Sequence, residues 1–441
     1  MSPLLSAPIA PTLARLAAPG IVLALFQTAV SVGDTYFIGQ LGTESLAGLA
    51  LVFPMLMLLQ MTSAGAMGGG VSSAVARALG AGNPDAARKL VAHALLIALG
   101  GGLTFTVLLL GFGRGLYELL GGRGAALAQA LAYSQVIFAG AVLVWISNTL
   151  ASLLRGSGNT LAPALAFAGS ATVQVPLSGA LTLGWGPCPR LGIAGAATAY
   201  VIAFGLASLV MAALVWRSAL RPQRAHLQLE GKLFREIMRV GAISSVSALQ
   251  TVLTAVILTG FVARFGTAAL AGYGVGVRLE LLQVPIVFAI AQALVVMVGT
   301  NIGARQIERA KRIAWTGTAA SALICLMIGG TVAVYPALWI RIFSDDPQVL
   351  EIGSLYMRIV APLYPLFGAG LALYFASQGA GQMLLPVLAG TLRLLLVVAG
   401  GALVMQFGGP LAALFGVIAC GLTVFGGFTI YVVYKARWAR D

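Results

Sequence analysis

The sequence predicts an all-α integral membrane protein of twelve transmembrane helices, arranged as two homologous six-helix lobes. Three observations carry this fold class: an apolar composition, recurrent apolar runs of membrane-spanning length, and an internal repeat. Hydrophobic residues make up 59% of the 441 positions and charged residues 9%, with a mean hydropathy of +0.98. So much apolar surface has no place inside a water-soluble globule, and lipid is the solvent it requires.

Apolar runs between polar or Gly/Pro breaks predict spans at 18–38, 46–73, 90–112, 129–154, 161–183, 192–216, 237–261, 268–301, 313–334, 349–377, 384–405 and 411–434. Helices of about 20 residues cross a hydrocarbon core of about 30 Å at 1.5 Å per residue. Strand alternation is missing from these runs, so helices rather than a barrel satisfy the backbone. The first run continues into further spans without a small-residue cleavage site and reads as a retained helix, not a signal peptide. Cys188, Cys325 and Cys420 are widely spaced, with no CxxC pair and only two histidines in the chain. Neither a disulfide framework nor a zinc site is expected, and the cysteines read as packing residues.

An even number of spans puts both termini on one side. With that side cytoplasmic, 18 of the 26 Lys and Arg fall in cytoplasmic segments and five fall outside, while Arg278, Arg358 and Arg393 lie within helices. The positive-inside bias then orients the chain, with both termini cytoplasmic in a bacterial inner membrane. It also accounts for the net charge of +14 and the pI near 10.3. Because the charge sits in short loops rather than on a basic domain, nucleic acid is not an expected partner. The most polar stretch, 217–239, reads as the connector between halves, giving lobes at 1–216 and 237–441 with a linker at 217–236.

Sliding the chain on itself by about 223 residues exposes a duplication. FGTAALAG at 265–272 matches LGTESLAG at 41–48, and NIGARQIERAKRI at 301–313 matches ALGAGNPDAARKL at 78–90. QGAGQMLLPVL at 378–388 matches RGSGNTLAPAL at 155–165, and Tyr356 falls on Tyr133. A six-helix unit repeats with the same membrane orientation, which implies a pseudo-twofold axis along the membrane normal.

The chain resembles the multidrug and toxic compound extrusion (MATE) family in SVGDTYFIGQLGTESLAGLALVFP, the LGAGNPDAARK loop, LRGSGNT, RLGIAGAATAYVIA and GYGVGVRLE. The resemblance covers essentially the whole chain. It implies export of chemically diverse organic cations, driven by inward H⁺ or Na⁺.

Among the 12 carboxylates, only Asp34 and Glu280 lie well within spans. A charge at bilayer depth costs about 2.5–3.5 kcal/mol even on insertion scales, so each needs a partner, water or a proton. Asp34 shares a helical face with Gln27 and Ser31, eight residues or about 12 Å in from Gly42. Its duplicate position is Leu258, an asymmetry that argues for function over fold maintenance. In the resemblance, Asp34 matches the helix 1 acid assigned to proton coupling. The family's Asn and Asp one turn apart in helix 5 are here Ala171 and Val175 in ATVQVP, leaving Gln174 as the nearby polar group. A Na⁺ site wants several oxygen ligands, whereas a proton needs one carboxyl, so H⁺ is expected as coupling ion in preference to Na⁺, and no cofactor is expected.

Glu280 shares its face with Gly276 and Gln283, and its depth matches that of Arg393, which makes the two candidate partners, with Glu280 a second candidate for ion coupling and a structural ion pair the alternative. Arg278 and Arg358 can snorkel to the outer interface. Tyr36, Gln60, Trp145, Asn148 and Tyr133 are candidate cavity residues, with packing the alternative for each. Pro54, Pro176, Pro285, Pro362, Pro365 and Pro386 fall in or at the ends of spans and free carbonyls for kinks. No P-loop, HExxH or nucleophile elbow occurs in a fitting context, so neither ATP-driven transport nor an enzyme is expected. The expected partners are small organic cations and the bilayer, with the chain acting as a monomer. A lipid-linked saccharide flippase of the same superfamily is the alternative, its anionic cargo suiting Arg278, Arg358 and Arg393.

Overall fold

The computed structural model describes residues 3–436 and 438, and among them every regular element is helical. Twelve membrane-spanning helices result when one bent pair is counted as a single span. They are α1 (Ile9–Gly39), α2 (Thr43–Gly80), α3 (Pro84–Leu119), α4 (Gly124–Ala139 and Ala141–Gly156, bent by 50° at Gly140), α5 (Leu161–Leu183) and α6 (Ile193–Trp216). The second six are α7 (Gly231–Ala263), α8 (Thr267–Gly303), α9 (Ile307–Val334), α10 (Pro347–Ala380), α11 (Leu384–Gln406) and α12 (Leu411–Lys435).

Each expected span is present, and several helices run past the apolar stretch that announced them. A hydropathy reading stops at the first charge, whereas the helix continues through polar turns that water satisfies. Thus α3 starts at Pro84 rather than near residue 90, because Asn83 caps it by accepting from the Ala86 N–H (3.0 Å) and Pro84 suits its first turn.

The chain divides into two compact units, Ala18–Ala242 and Met1–Ala17 with Ile243–Asp441. The lobes drawn from the sequence leave 1–17 with the first six helices, whereas by contact that segment lies with the later ones. Leu13, Leu16 and Ala17 are buried in one apolar cluster with Leu294, Met297 and Ile313, and two polar contacts add to it: Asn301 donates to the Leu4 carbonyl over 3.1 Å, and the Arg309 guanidinium donates to the Ala7 carbonyl. Within each unit the same pairs of helices pack. The second helix lies on the fourth, the third on the fourth, and the fifth and fourth on the sixth.

The connector between α6 and α7 carries a short 3₁₀ turn, Arg224–Leu227, and is fastened to the start of α3. Lys89 meets Glu230 at 2.6 Å, and the Glu230 N–H donates to His93 Nε2 over 2.8 Å. Since the Lys89 carbonyl beside His93 Nδ1 can only accept, the two partners together select the Nδ1–H tautomer. His226 pairs with Asp85 at 3.3 Å from the connector side.

Candidate functional site

In the unit spanning Ala18–Ala242 the buried polar groups gather around Asp34 on α1. Gln174 on α5 donates to Asp34 Oδ2 over 2.9 Å, while Asp34 Oδ1 is buried without a partner. Ser178, one turn beyond Gln174, faces the carboxylate without closing a hydrogen bond of good geometry. Tyr133 on α4 and Tyr200 on α6 stand close enough to feel the carboxylate's charge. A half-buried carboxylate with one donor and one bare oxygen has room to accept a proton or a further donor.

A second polar chain runs beside it. The Gln60 amide donates to the Tyr200 hydroxyl, and the Asn148 amide donates to both Gln60 Oε1 (3.1 Å) and Ser63 Oγ (2.8 Å). Gln60 stands at the start of a π-helical segment, Met61–Met67, inside α2. Thr62 and Ser63 hydroxyls there bond back to the Leu58 and Leu59 carbonyls, at 2.6 and 2.7 Å, competing with the regular ladder. Gln174 thus touches Asp34 directly, while Gln60 and Asn148 belong to the neighbouring chain that ends at Tyr200. Gln27 and Ser31 share the Asp34 face but are exposed, and among the described residues no side-chain hydrogen bond ties them to it. Tyr36 is 63% exposed and stacks edge-on against Phe37 at 5.6 Å. Two residues from Asp34 on a helix, it points to another side.

In the other unit Glu280 on α8 accepts from the Tyr356 hydroxyl and, at 3.4 Å, from the Tyr364 hydroxyl, both on α10. Tyr356 is held by edge contacts with Tyr273 (5.6 Å) and Phe415 (5.1 Å). Gly276 makes room for it, since a Cβ there would stand 2.3 Å from the Tyr356 ring. Arg393 stands near enough to act electrostatically on Glu280, but its guanidinium lies 5.9 Å over the Phe367 ring and forms no described ion pair with the carboxylate. Depth along the membrane, which suggested that pair, says nothing about direction around the helix. Gln283 is fully buried, and neither end of its amide has a partner. Arg278 lies over Phe343 at 5.1 Å, and Arg358 is exposed.

The sequence reading did not single out Ser178, Ser63, Tyr200 or Tyr364. Ser178 was within reach, standing four residues from Gln174 on the same helical face. The others are brought in by helix packing, which leaves no local sequence signal.

Three comparisons bear on this arrangement. The MatE family model matches residues 19–178 and 243–403, one match in each half. The FAD transporter of Shewanella oneidensis is 29% identical over 378 residues, covering 85% of this chain and 82% of that protein. A probable multidrug resistance protein NorM of Thermotoga maritima is 26% identical, covering 85% and 81%. In fold, a crystal structure of a Vibrio cholerae MATE transporter superposes with a TM-score of 0.90 at 23% identity, covering 98% of each chain.

Proposed function

Given that the chain belongs to the MatE family of membrane transporters, we propose that it is a secondary active exporter of small organic, mainly cationic compounds, exchanged for protons across a bacterial inner membrane. The observation that carries the reading is the Asp34 carboxylate, buried at one oxygen without a partner and held at the other by the uncharged Gln174 amide. No cation of the chain is described at hydrogen-bond distance from it, so a proton or a cationic substrate is the natural counter-charge, and the two compete for one group. The single carboxylate among neutral amides and hydroxyls favours H⁺ over Na⁺, which prefers several oxygen ligands.

The test is uptake of a fluorescent organic cation into inside-out vesicles, energised separately by a pH gradient and by a Na⁺ gradient. Uptake with the pH gradient alone is expected. Uptake only with Na⁺ would replace the proton as coupling ion. A second reading, export of an anionic dinucleotide, is favoured by the Shewanella relative's description as an FAD transporter. Measuring FAD uptake in the same vesicles separates the two substrate classes.

A further inference from the structure

The loop joining α8 to α9 is the duplicate of the loop joining α2 to α3, yet its charges meet a different fate. In the first copy Arg88 is held by Asp85 and by the Ala219 carbonyl, each at 3.1 Å, and Lys89 by Glu230. In the second copy Lys311 takes Glu308 at 3.3 Å, and Arg309 reaches only the Ala7 carbonyl, its Nε buried without a partner. Arg305 and Arg312 have no described carboxylate partner. The segment lying here in place of the connector, residues 3–17, contains no acidic side chain.

Two further asymmetries mark the second loop. Gln306 provides no side-chain cap to α9 where Asn83 caps α3, so the first-turn N–H groups of a 28-residue helix remain available. Arg305 has φ +59°, where the duplicate position is Gly82 with φ +71°. It is the only non-glycine with positive φ among the described residues. Arg305, Arg309 and Arg312 open onto a cavity of about 500 Å³ walled by Ile9, Gln306 and Ile307, and its one carboxylate, Glu308, is paired with Lys311 at 3.3 Å, leaving the three arginines in excess.

We infer that this cavity binds a phosphate anion in the form of a phosphodiester lipid headgroup, with Arg305 and Arg312 supplying the charge and the uncapped end of α9 the backbone donors. Basic pockets at the ends of membrane helices suit anionic headgroups, and the apolar wall suits the glycerol and first acyl carbons. The counter-charge that the first repeat draws from its own connector, the second draws from the membrane.

Native mass spectrometry of the delipidated full-length protein tests this, with phosphatidylglycerol, phosphatidylcholine and inorganic phosphate titrated separately. Phosphatidylglycerol should be held about tenfold or more tighter than phosphatidylcholine, as two surface arginines imply, and Arg305→Gly with Arg312→Gln should abolish the preference. Arg305→Gly relaxes a left-handed residue and keeps the fold, so its loss of lipid reads the ligand and not stability. Arg114→Gln, removing an exposed charge elsewhere, should change nothing. Inorganic phosphate bound alone, through the same two arginines and as tightly as the lipid, supports the anion site and assigns it to soluble phosphate. No preference in the wild type with no phosphate bound, or a preference that survives in the double variant, overturns the proposal.

Discussion

The Gln174 amide donates to Asp34 Oδ2 over 2.9 Å, joining α5 to α1 across 140 positions of sequence. Hydrogen bonds to charged groups contribute about 1.5–3 kcal/mol. Gln174→Leu, similar in size but without the donor, should lower proton-driven transport in proteoliposomes about tenfold or more while the purified protein stays folded. Wild-type rates in that variant would show that the contact is incidental.

Glu280 depends on tyrosine hydroxyls more than on Arg393. Tyr356→Phe should lower the unfolding midpoint in detergent by the equivalent of about 1–3 kcal/mol, the penalty of a buried acceptor losing a donor. Arg393→Gln should be milder. The opposite order would make the arginine the principal partner.

Docking of the connector depends on pH through Glu230, which lies outside the spans. Hydrogen bonding and then charge attraction from Lys89 hold its carboxyl below the usual value of 4.5. A lowered value in the folded state means that the contribution is present above about pH 4.5 and is lost as pH falls through the folded value. Limited proteolysis within 217–230 should therefore accelerate only once the pH falls below about 4.5, and Glu230→Gln should show the fast rate at neutral pH. A pH-independent rate in the wild type would contradict this role for the ion pair.

Gly195 lets α6 touch the α5 backbone, since a Cβ there would lie 2.4 Å from the Leu181 carbonyl. Gly195→Ala should destabilise by about 1–3 kcal/mol or more, the range for overpacking. Gly169→Ala on the outer side of α5 meets nothing within 4 Å and should be neutral in the same thermal assay. Equal effects would mean that the helices separate without penalty.

Helix number and order were legible because a membrane helix must satisfy its backbone internally and announces itself by apolar length. The duplication was legible in the 41–48 and 78–90 motifs, and Asp34 and Glu280 stood out as charges in apolar runs. What stayed hidden depends on rotation and packing. The π segment at Met61–Met67 lies in an otherwise ordinary apolar run, and its Thr62 and Ser63 bond back to carbonyls as threonines of the regular helices also do, so no residue type announces it. Tyr364 reaches Glu280 from just beyond a 3₁₀ turn at Ala361–Leu363 that divides α10, and Pro362 alone did not specify that geometry. The anchoring of 3–17 beside α8 and α9 combines the buried Leu13, Leu16 and Ala17 with bonds to backbone carbonyls, and an apolar run does not say which neighbour it packs against.

The central claim is that one carboxylate, Asp34, exchanges a proton for substrate. Asp34→Asn removes the charge and nearly keeps the shape, so the variant should express and fold close to normally. The decisive measurement is proton release on adding a cationic substrate to the detergent-solubilised protein at fixed weakly buffered pH. Release by the wild type and none by Asp34→Asn is the predicted result. Equal release from both, with proton-coupled efflux intact in the variant, would contradict the assignment and move the coupling site to Glu280.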